Sequence, residues 1–517
     1  MVMRVTNQAQ QANSLRNLFR ITEDQFLANQ RIASGKRILA PSDDPLGVRD
    51  VLTLRTSISR SEQFNRNVTF NRVFVNSADS ALSSVSTSLI RAQELAVSSL
   101  NGINTAASRQ AAAEELDQIL DGVFQSANTQ VQGRFLFSGT GLATAPFQQN
   151  GGGVGALYTG DTNRLNLEVA AGLTIPITRP GSEIFTVDLN PAVTPTTNLS
   201  DLNGGAGVNL GSISITDRQG NNAVVNLSGA ATVDDVIIAI NNATAFAGVN
   251  VAASINSAGD GLLLTDTSAT INQALTVTES GGGTVAQELG ILGSRNGNLT
   301  GQDLNPILTT ATPISALNGG NGLTLGQVQV TNGALSGTVD LSGLGPTPTI
   351  SDVLNAFNSA GLNLTASINS QGNGLNVVSD PNTSPNTTAV ITDVSGGDTA
   401  STLGIGGNNI FVALGTLKQA LERNDTEGIA ASLDLVSASR DKISNARAEY
   451  GAASRTLDQM EVLNSTDVLT QTQQLSDVED ADFVQEAANL AALETALQAT
   501  LATTARVLQP SLLDFLA

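Results

Sequence analysis

Apolar residues recur in steps of three and four at both ends of this chain and alternate with polar ones through its middle. Near the C-terminus, the stretch 483–508 puts Leu490, Leu493, Leu497, Leu501 and Leu508 in one stripe, with Thr504 in the same line. Near the N-terminus, Leu15, Leu18, Ile21, Gln25, Ala28 and Ile32 fall in the same steps. Such spacing is the seam of a coiled coil, because residues about 3.5 apart stay on one side of a helix. Alanines fill much of the rest of 483–508, so helix propensity there is high. Each stripe is narrow, and a monomer offers it little to bury against. The two ends therefore read as helices that need each other and need neighbours. Leu15, Leu18, Ile32, Leu490, Leu493, Leu497 and Leu501 are the candidate assembly residues.

Between these ends the pattern predicts a helical core interrupted by a β-rich insert. A first helix over 4–33 stops at Gly35, which takes the left-handed cap conformation cheaply. Asp44 reads as an N-cap and Pro45 as the first residue of a second helix over about 45–100, since proline has no N–H to leave unpaired there. The seam of that helix is Ala78, Leu82, Val85, Leu89, Ala92 and Ala96. A third helix is expected over 105–131. Residues 140–408 are rich in Gly, Asn, Thr, Ser and Val, and runs such as Ser212-Ile213-Ser214-Ile215 read as strands between turns. Helical spacing returns at 411 with Ile429, Leu433, Val436, Ile443 and Leu457, and a polar break at 464–480 precedes the last helix. The expected fold class is α+β: a long α-helical coiled-coil bundle built from both termini, carrying a β-rich insert with two tandem repeats at its far tip.

The repeat is legible at an offset near 115. Leu202-Asn203-Gly204-Gly205 returns as Leu317-Asn318-Gly319-Gly320, and Val251-Ala252-Ala253-Ser254-Ile255-Asn256-Ser257 as Leu364-Thr365-Ala366-Ser367-Ile368-Asn369-Ser370. Thr232 and Thr349 occupy matching N-cap positions. A period this long implies a duplicated small domain rather than a solenoid. The expected organisation is 1–44, an N-terminal assembly helix and loop; 45–139, the first part of the helical core; 140–198, a β-rich segment; 199–293 and 314–407, the two repeats; 411–463, the second part of the core; and 464–517, the C-terminal assembly helix.

Composition narrows the functional classes. The 517 residues include no Cys, no His and no Trp. Zinc hydrolysis, Ser-His and Cys-His triads and histidine acid–base chemistry are therefore unavailable, and an enzyme is the least favoured class. The net charge is −21 and lies unevenly: residues 1–140 hold 14 Lys and Arg against 12 Asp and Glu, 141–410 hold 4 against 18, and 411–517 hold 7 against 16. No basic patch points to nucleic acid or an anionic membrane, and no apolar run is long enough to span one. No apolar core followed by a small-residue cleavage site stands at the N-terminus, so export without a cleaved signal is expected if the chain leaves the cell. Asn256–Gly261 and Asn369–Gly374 faintly resemble calcium loops but lack the later bidentate Glu, and hairpin turns account for them. The Gly-rich stretches contain no Gly-Lys-Ser/Thr, so no phosphate loop is supported. Asp43-Asp44-Pro45 reads as a helix start rather than an acid pair. No cofactor and no metal are expected.

The ends resemble bacterial flagellins and, more closely, the flagellin-like hook–filament junction family, hook-associated protein 3. The segments that carry the likeness are Gln30-Arg31-Ile32-Ala33-Ser34-Gly35-Lys36-Arg37-Ile38, Pro41-Ser42-Asp43-Asp44-Pro45, Gln93-Glu94-Leu95-Ala96 and Ser476-Asp477-Val478-Glu479-Asp480-Ala481-Asp482. Three further elements resemble the junction branch: Gly133-Arg134-Phe135-Leu136-Phe137-Ser138-Gly139, Tyr158-Thr159-Gly160-Asp161 with Gly181 to Phe185 later, and the ending Ser511-Leu512-Leu513-Asp514-Phe515-Leu516. The resemblance implies a structural subunit of the bacterial flagellum that adapts hook to filament. It implies type III export, an extracellular location and terminal helices that order on assembly. Implied partners are other copies of the chain, another hook-associated protein on the hook side, flagellin on the filament side and an export chaperone. Leu89–Leu95 resembles the flagellin segment bound by innate immune receptors, but packing surface is the favoured reading of it here. The long insert with its two modules suits a filament flagellin too, and a surface adhesin carrying ligand modules is a further alternative.

Overall fold

The structure, a computed structural model, describes residues 2–141, 145–149, 155–160, 162–189 and 191–508. Three helices come first, α1 (Val2–Ser34), α2 (Pro45–Ser99) and α3 (Ala106–Ala127). The chain then forms short strands β1 (Gln130–Val131), β2 (Arg134–Phe135), β3 (Phe147–Gln149), β4 (Ala156–Tyr158), β5 (Asn166–Ala170) and β6 (Leu173–Pro176), followed by a helical turn α4 (Gly181–Ile184). The first module contains β7 (Ser212–Thr216), β8 (Asn222–Asn226), α5 (Val233–Ala247), β9 (Val251–Ile255), β10 (Leu262–Asp266), β11 (Leu275–Ser280), α6 (Val285–Glu288), β12 (Gly293–Arg295) and β13 (Leu299–Thr300). The second contains β14 (Gln327–Asn332), β15 (Leu335–Asp340), α7 (Ile350–Asn358), β16 (Leu364–Ile368), β17 (Leu375–Ser379), β18 (Ala389–Asp393) and α8 (Thr399–Thr402). Three helices close the chain: α9 (Ile410–Glu422), α10 (Thr426–Glu479) and α11 (Phe483–Leu508). This is α+β, with helices at the ends and antiparallel sheets between.

The chain divides into two compact units. One is made from the described residues of 1–72, 167–175 and 455–517, so it holds α1, α11, parts of α2 and α10, and most of the β5–β6 hairpin. Polar links add to the apolar packing of its helices. Arg72 pairs with Asp458 at 3.3 Å and with Glu461, and Asn464 donates to the Val169 carbonyl at 3.0 Å. The polar stretch 464–479, expected as a break, is helix: α10 runs unbroken to Glu479. Polarity there reflects exposure rather than a turn, and no Gly or Pro lies within 464–479. The true break is Asp480–Asp482, where the Asp482 carboxylate caps α11 by accepting from the Val484 and Gln485 N–H groups.

The other unit comprises 73–166 and 176–454. Here the α2 seam is fully used: Ala78, Leu82, Val85, Leu89, Ala92 and Ala96 are all buried, as are Val436, Ile443 and Tyr450 of α10. Burying a leucine of this kind contributes about 1.5–3 kcal/mol. Polar links run between the same helices, from Arg440 to Gln93 at 3.1 Å and from Arg447 to Asp79 at 3.0 Å. Helix α3 packs on α9.

Each module has its own apolar core. In the first, strand order β12-β11-β7-β8 forms one sheet and β13-β10-β9 another; in the second, β15-β14-β18 and β16-β17 take the corresponding places. Thr232 and Thr349 each close a capping box, with Asp235 and Asp352 answering from the third helical position. The first module extends past the expected boundary at 293, because β12 pairs with β11 and β13 with β10, and Leu304 lies in its core.

Candidate assembly interface

Helices α1 and α11 pack along one another. Gly35 and Lys36, just past the end of α1, meet Asp480 and Ala481, just before the start of α11, so the two helices run antiparallel. Arg31 faces Glu486 at 3.6 Å across the pair. Leu18, Ile21, Gln25 and Ile32 on α1 are half-buried and Ala28 is buried; Leu490, Leu493 and Leu497 on α11 are half-buried and Thr504 is buried. One helix therefore covers about one side of each stripe and leaves the remainder open.

Two of the expected seam residues behave differently. Leu15 is 46% exposed and Leu501 50% exposed. At about 100° per residue, Leu15 lies within about 40° of Phe19 and Phe26 and well around the helix from Ile21 and Ala28. Phe19 and Phe26 are 69% and 61% exposed. Leu15 thus belongs to a second apolar stripe, Leu15–Phe19–Phe26, which a search for a single four-three seam passes over. Leu501 keeps its place in the α11 stripe but remains uncovered. The same unit exposes Leu46, Leu52 and Phe70 on α2, Val462, Leu463 and Leu469 on α10, and Phe483 and Val484 on α11. Leu508 lies in α11, but its side chain, with Asp161 and the segment 511–516, falls outside the described residues.

At the base of the α1–α11 pair the two signature segments of the sequence meet. Gly35, at φ +70°, ends α1 and turns the chain toward α10. The Arg37 N–H then donates to the Glu479 carbonyl at 2.7 Å, and the Ala481 N–H donates to the Gly35 carbonyl at 2.9 Å. The Glu479 side chain is buried between two cations: Arg55 donates to both of its oxygens, at 2.6 and 2.9 Å, and Lys36 donates to Oε1. Burial pushes the Glu479 carboxyl up, but Lys36 and Arg55 together outweigh that and hold it below the usual carboxylate range. Arg37 reaches the Val478 carbonyl at 2.8 Å. Asp43 accepts from the Leu39 and Ala40 N–H groups, both at 3.0 Å, and Asp44 accepts from the Gly47 N–H at 2.9 Å, so both acids shape the helix start. The Gly47 N–H, with Arg37 nearby, holds Asp44 below its ordinary value. The sequence pointed to the segments but not to the Glu479 clasp, whose members lie over 400 positions apart.

The other resemblance-bearing elements converge inside the second unit. Phe137 and Phe185 meet edge to face at 5.1 Å, Phe147 lies 5.1 Å from Tyr158 and 5.4 Å from Phe185, and Phe411 of α9 closes the group at 5.5 Å from Phe147. The Tyr158 hydroxyl donates to the Phe137 carbonyl at 3.0 Å. Gly181 lies against this cluster so tightly that a Cβ would stand 2.5 Å from the Phe147 ring. These motifs build a core and do not form an exposed site. Among the described residues no group of acidic side chains could hold a metal ion, and no helix is long and apolar enough to cross a membrane.

Known proteins place both ends of the chain. Residues 5–141 match the bacterial flagellin N-terminal helical region and residues 433–516 the bacterial flagellin C-terminal helical region. Both ends of the chain are thus similar to the terminal helical regions of bacterial flagellins. Flagellar hook-associated protein 3 of Escherichia coli K12 is 27% identical over 203 residues, covering 39% of this chain and 63% of that protein. Its Salmonella typhimurium counterpart is 29% identical over 184 residues, covering 35% and 57%. A flagellin from Clostridium tyrobutyricum is 31% identical over 117 residues, covering 23% and 31%. The chain thus spans about three-fifths of the length of the hook-associated relatives it matches. The crystal structure of flagellar hook associated protein-3 from Legionella pneumophila aligns with 83% of this chain and 98% of its own, at 15% identity and a TM-score of 0.38.

Proposed function

We propose that this chain is a structural adaptor at the junction of flagellar hook and filament, assembled through its terminal helices. The carrying observation is the partly open α1–α11 pair: flagellin-type terminal helices that cover one side of their seams and leave Leu15, Phe19, Phe26 and Leu501 uncovered. Exposed apolar residues on this scale mark surfaces that a neighbour covers. Coiled-coil burial between adjacent subunits, at about 25 cal/mol per Å² of apolar area, is the driving force, and no covalent chemistry is involved. The likeness to hook-associated protein 3 supports the junction over other flagellar positions. Neighbours are then further copies of the chain, another hook-associated protein and flagellin. The chain reaches them by export, held beforehand by a chaperone that covers the apolar helices. The two β modules are copies of one ancestral unit displayed on the helical core.

The test is complementation of a deletion strain with Leu493→Asp or Leu497→Asp. Export with failure to enter the flagellum supports the proposal; normal incorporation and motility overturn it. A filament-forming flagellin is the second reading, favoured by the long insert and by the Clostridium likeness.

A further inference from the structure

The two modules differ at one sheet edge, and the difference leaves a strand position open. In the first module β10 is paired on both sides, by β9 and by β13. The Gly301 N–H donates to the Leu262 carbonyl at 2.6 Å, so Leu262 and, by alternation along the strand, Leu264 and Asp266 face β13. In the second module β17 is paired on one side only, by β16. The Asn369 N–H donates to the Gly374 carbonyl, and the Asp380 N–H to the Asn363 carbonyl, so Gly374 and Asp380 face β16. Leu375, Val377 and Ser379 therefore turn their N–H and C=O groups away from it. All three residues are buried, and among the described residues those backbone groups have no partner. Buried backbone groups are almost always paired, so this edge is built for something that supplies the missing bonds.

The cause lies in how the chain leaves each module. After β11 and α6 the first module continues into β12 and β13, whereas after β18 and α8 the chain enters α9; only the end of the missing path is matched, by the Leu189 N–H on the Asn373 carbonyl where the Leu304 N–H meets Asp260 in the first module. Helices α9 and α10 cover β18, with Val390 packed against Ala413 of α9 and Leu435 of α10, but leave a groove of about 560 Å³ along β17. Ala389, Ile405 and Val412 give the groove an apolar wall, and Ser367, Thr416 and Gln419 a polar one; among the described residues no charged one lines it.

We propose that the outer edge of β17 accepts an extended, uncharged strand from a neighbouring polypeptide, in antiparallel register, with a leucine-sized side chain set against Val412 and Ile405. The first module shows the kind of strand that fits. Asn298-Leu299-Thr300-Gly301-Gln302 is uncharged, and it alternates a buried leucine with small polar residues on the same edge. Main-chain bonds supply the attachment and the apolar wall the selectivity, as in other edge-strand recognition.

The test uses the full chain and a fluorescent peptide of residues 297–302, Gly-Asn-Leu-Thr-Gly-Gln, followed by anisotropy. Saturable binding is expected. N-methylation of the peptide at the leucine removes an N–H that faces the edge and lowers affinity about tenfold; methylation at the threonine, whose N–H faces away, changes it less than about twofold. Val377→Pro removes an outward N–H without touching the β16 ladder and abolishes binding. Absence of saturable binding to about 2 mM overturns the proposal. So does equal loss from both methylated peptides, equal binding by a peptide with Lys in place of the leucine, or full binding by a folded Val377→Pro chain.

Discussion

Replacing Glu479 isolates the clasp at the base of the assembly helices. Its carboxylate is the buried member of the triad, while Lys36 and Arg55 are about half exposed, with side chains 41% and 49% accessible. Glu479→Ala removes three charge-assisted hydrogen bonds and leaves two cations facing each other. Hydrogen bonds to charged groups contribute about 1.5–3 kcal/mol each when buried, but solvent screens the exposed cations, so the expected loss is about 2 kcal/mol in all. That loss falls on local opening, because the clasp ties α2 and the segment just after α1 to α10, where the Arg37 N–H bonds to Glu479 and the Ala481 N–H bonds to Gly35. Hydrogen exchange at those two amides should therefore quicken about thirtyfold, with the β modules unchanged. Glu479→Gln keeps an acceptor without the charge and should fall between. The pH dependence has a definite sign. The folded carboxyl titrates below its unfolded value, so the clasp contributes fully above the ordinary glutamate range and is lost as pH falls through the lowered value. Exchange within threefold of wild type in Glu479→Ala would refute the reasoning.

Other perturbations separate the parts of the molecule. Leu497→Asp should abolish incorporation into the flagellum while hydrogen exchange in both modules stays at wild-type rates, because Leu497 lies on α11 and touches neither module core. Asp217 is buried and accepts from the N–H groups of Gln219, Asn221 and Asn250 at 3.0, 2.8 and 3.1 Å; burial raises it, but those bonds outweigh that and hold it low. Asp217→Ala should cost the first module about 2–4 kcal/mol by denaturant-dependent exchange. In the wild-type chain this stability is present above the ordinary aspartate range and lost as pH falls through the lowered value, whereas Asn332, the matching residue of the second module, does not titrate. Acid should therefore open β7 before β14, as read by exchange corrected for intrinsic rate. Gly181→Ala would place a Cβ 2.5 Å from the Phe147 ring and 2.9 Å from Tyr158, and should cost about 1–3 kcal/mol in calorimetric unfolding.

Local rules made much of this legible. Thr232, Thr349 and Asp44 are readable as caps because a short polar side chain before an apolar run has one good use, and each fills it. The α2 seam is readable because every position in it is buried. Polarity misleads where it mimics a turn. Residues 464–479 are helix because an exposed helix needs no apolar stripe of its own. Periodicity misleads where an outward stripe borrows a residue from the seam: Leu15 fits a four-three series with Leu18, yet it shares its face with Phe19 and Phe26. The Glu479 clasp and the open β17 edge depend on residues remote in the chain, and no local pattern encodes them.

The most direct measurement is deletion of the gene, with electron microscopy of the flagella and an immunoblot for flagellin in the medium. The junction account predicts bare hooks with flagellin lost into the medium. Bare hooks with the major flagellin absent everywhere would make this chain the filament itself, and intact, motile filaments would contradict the account outright.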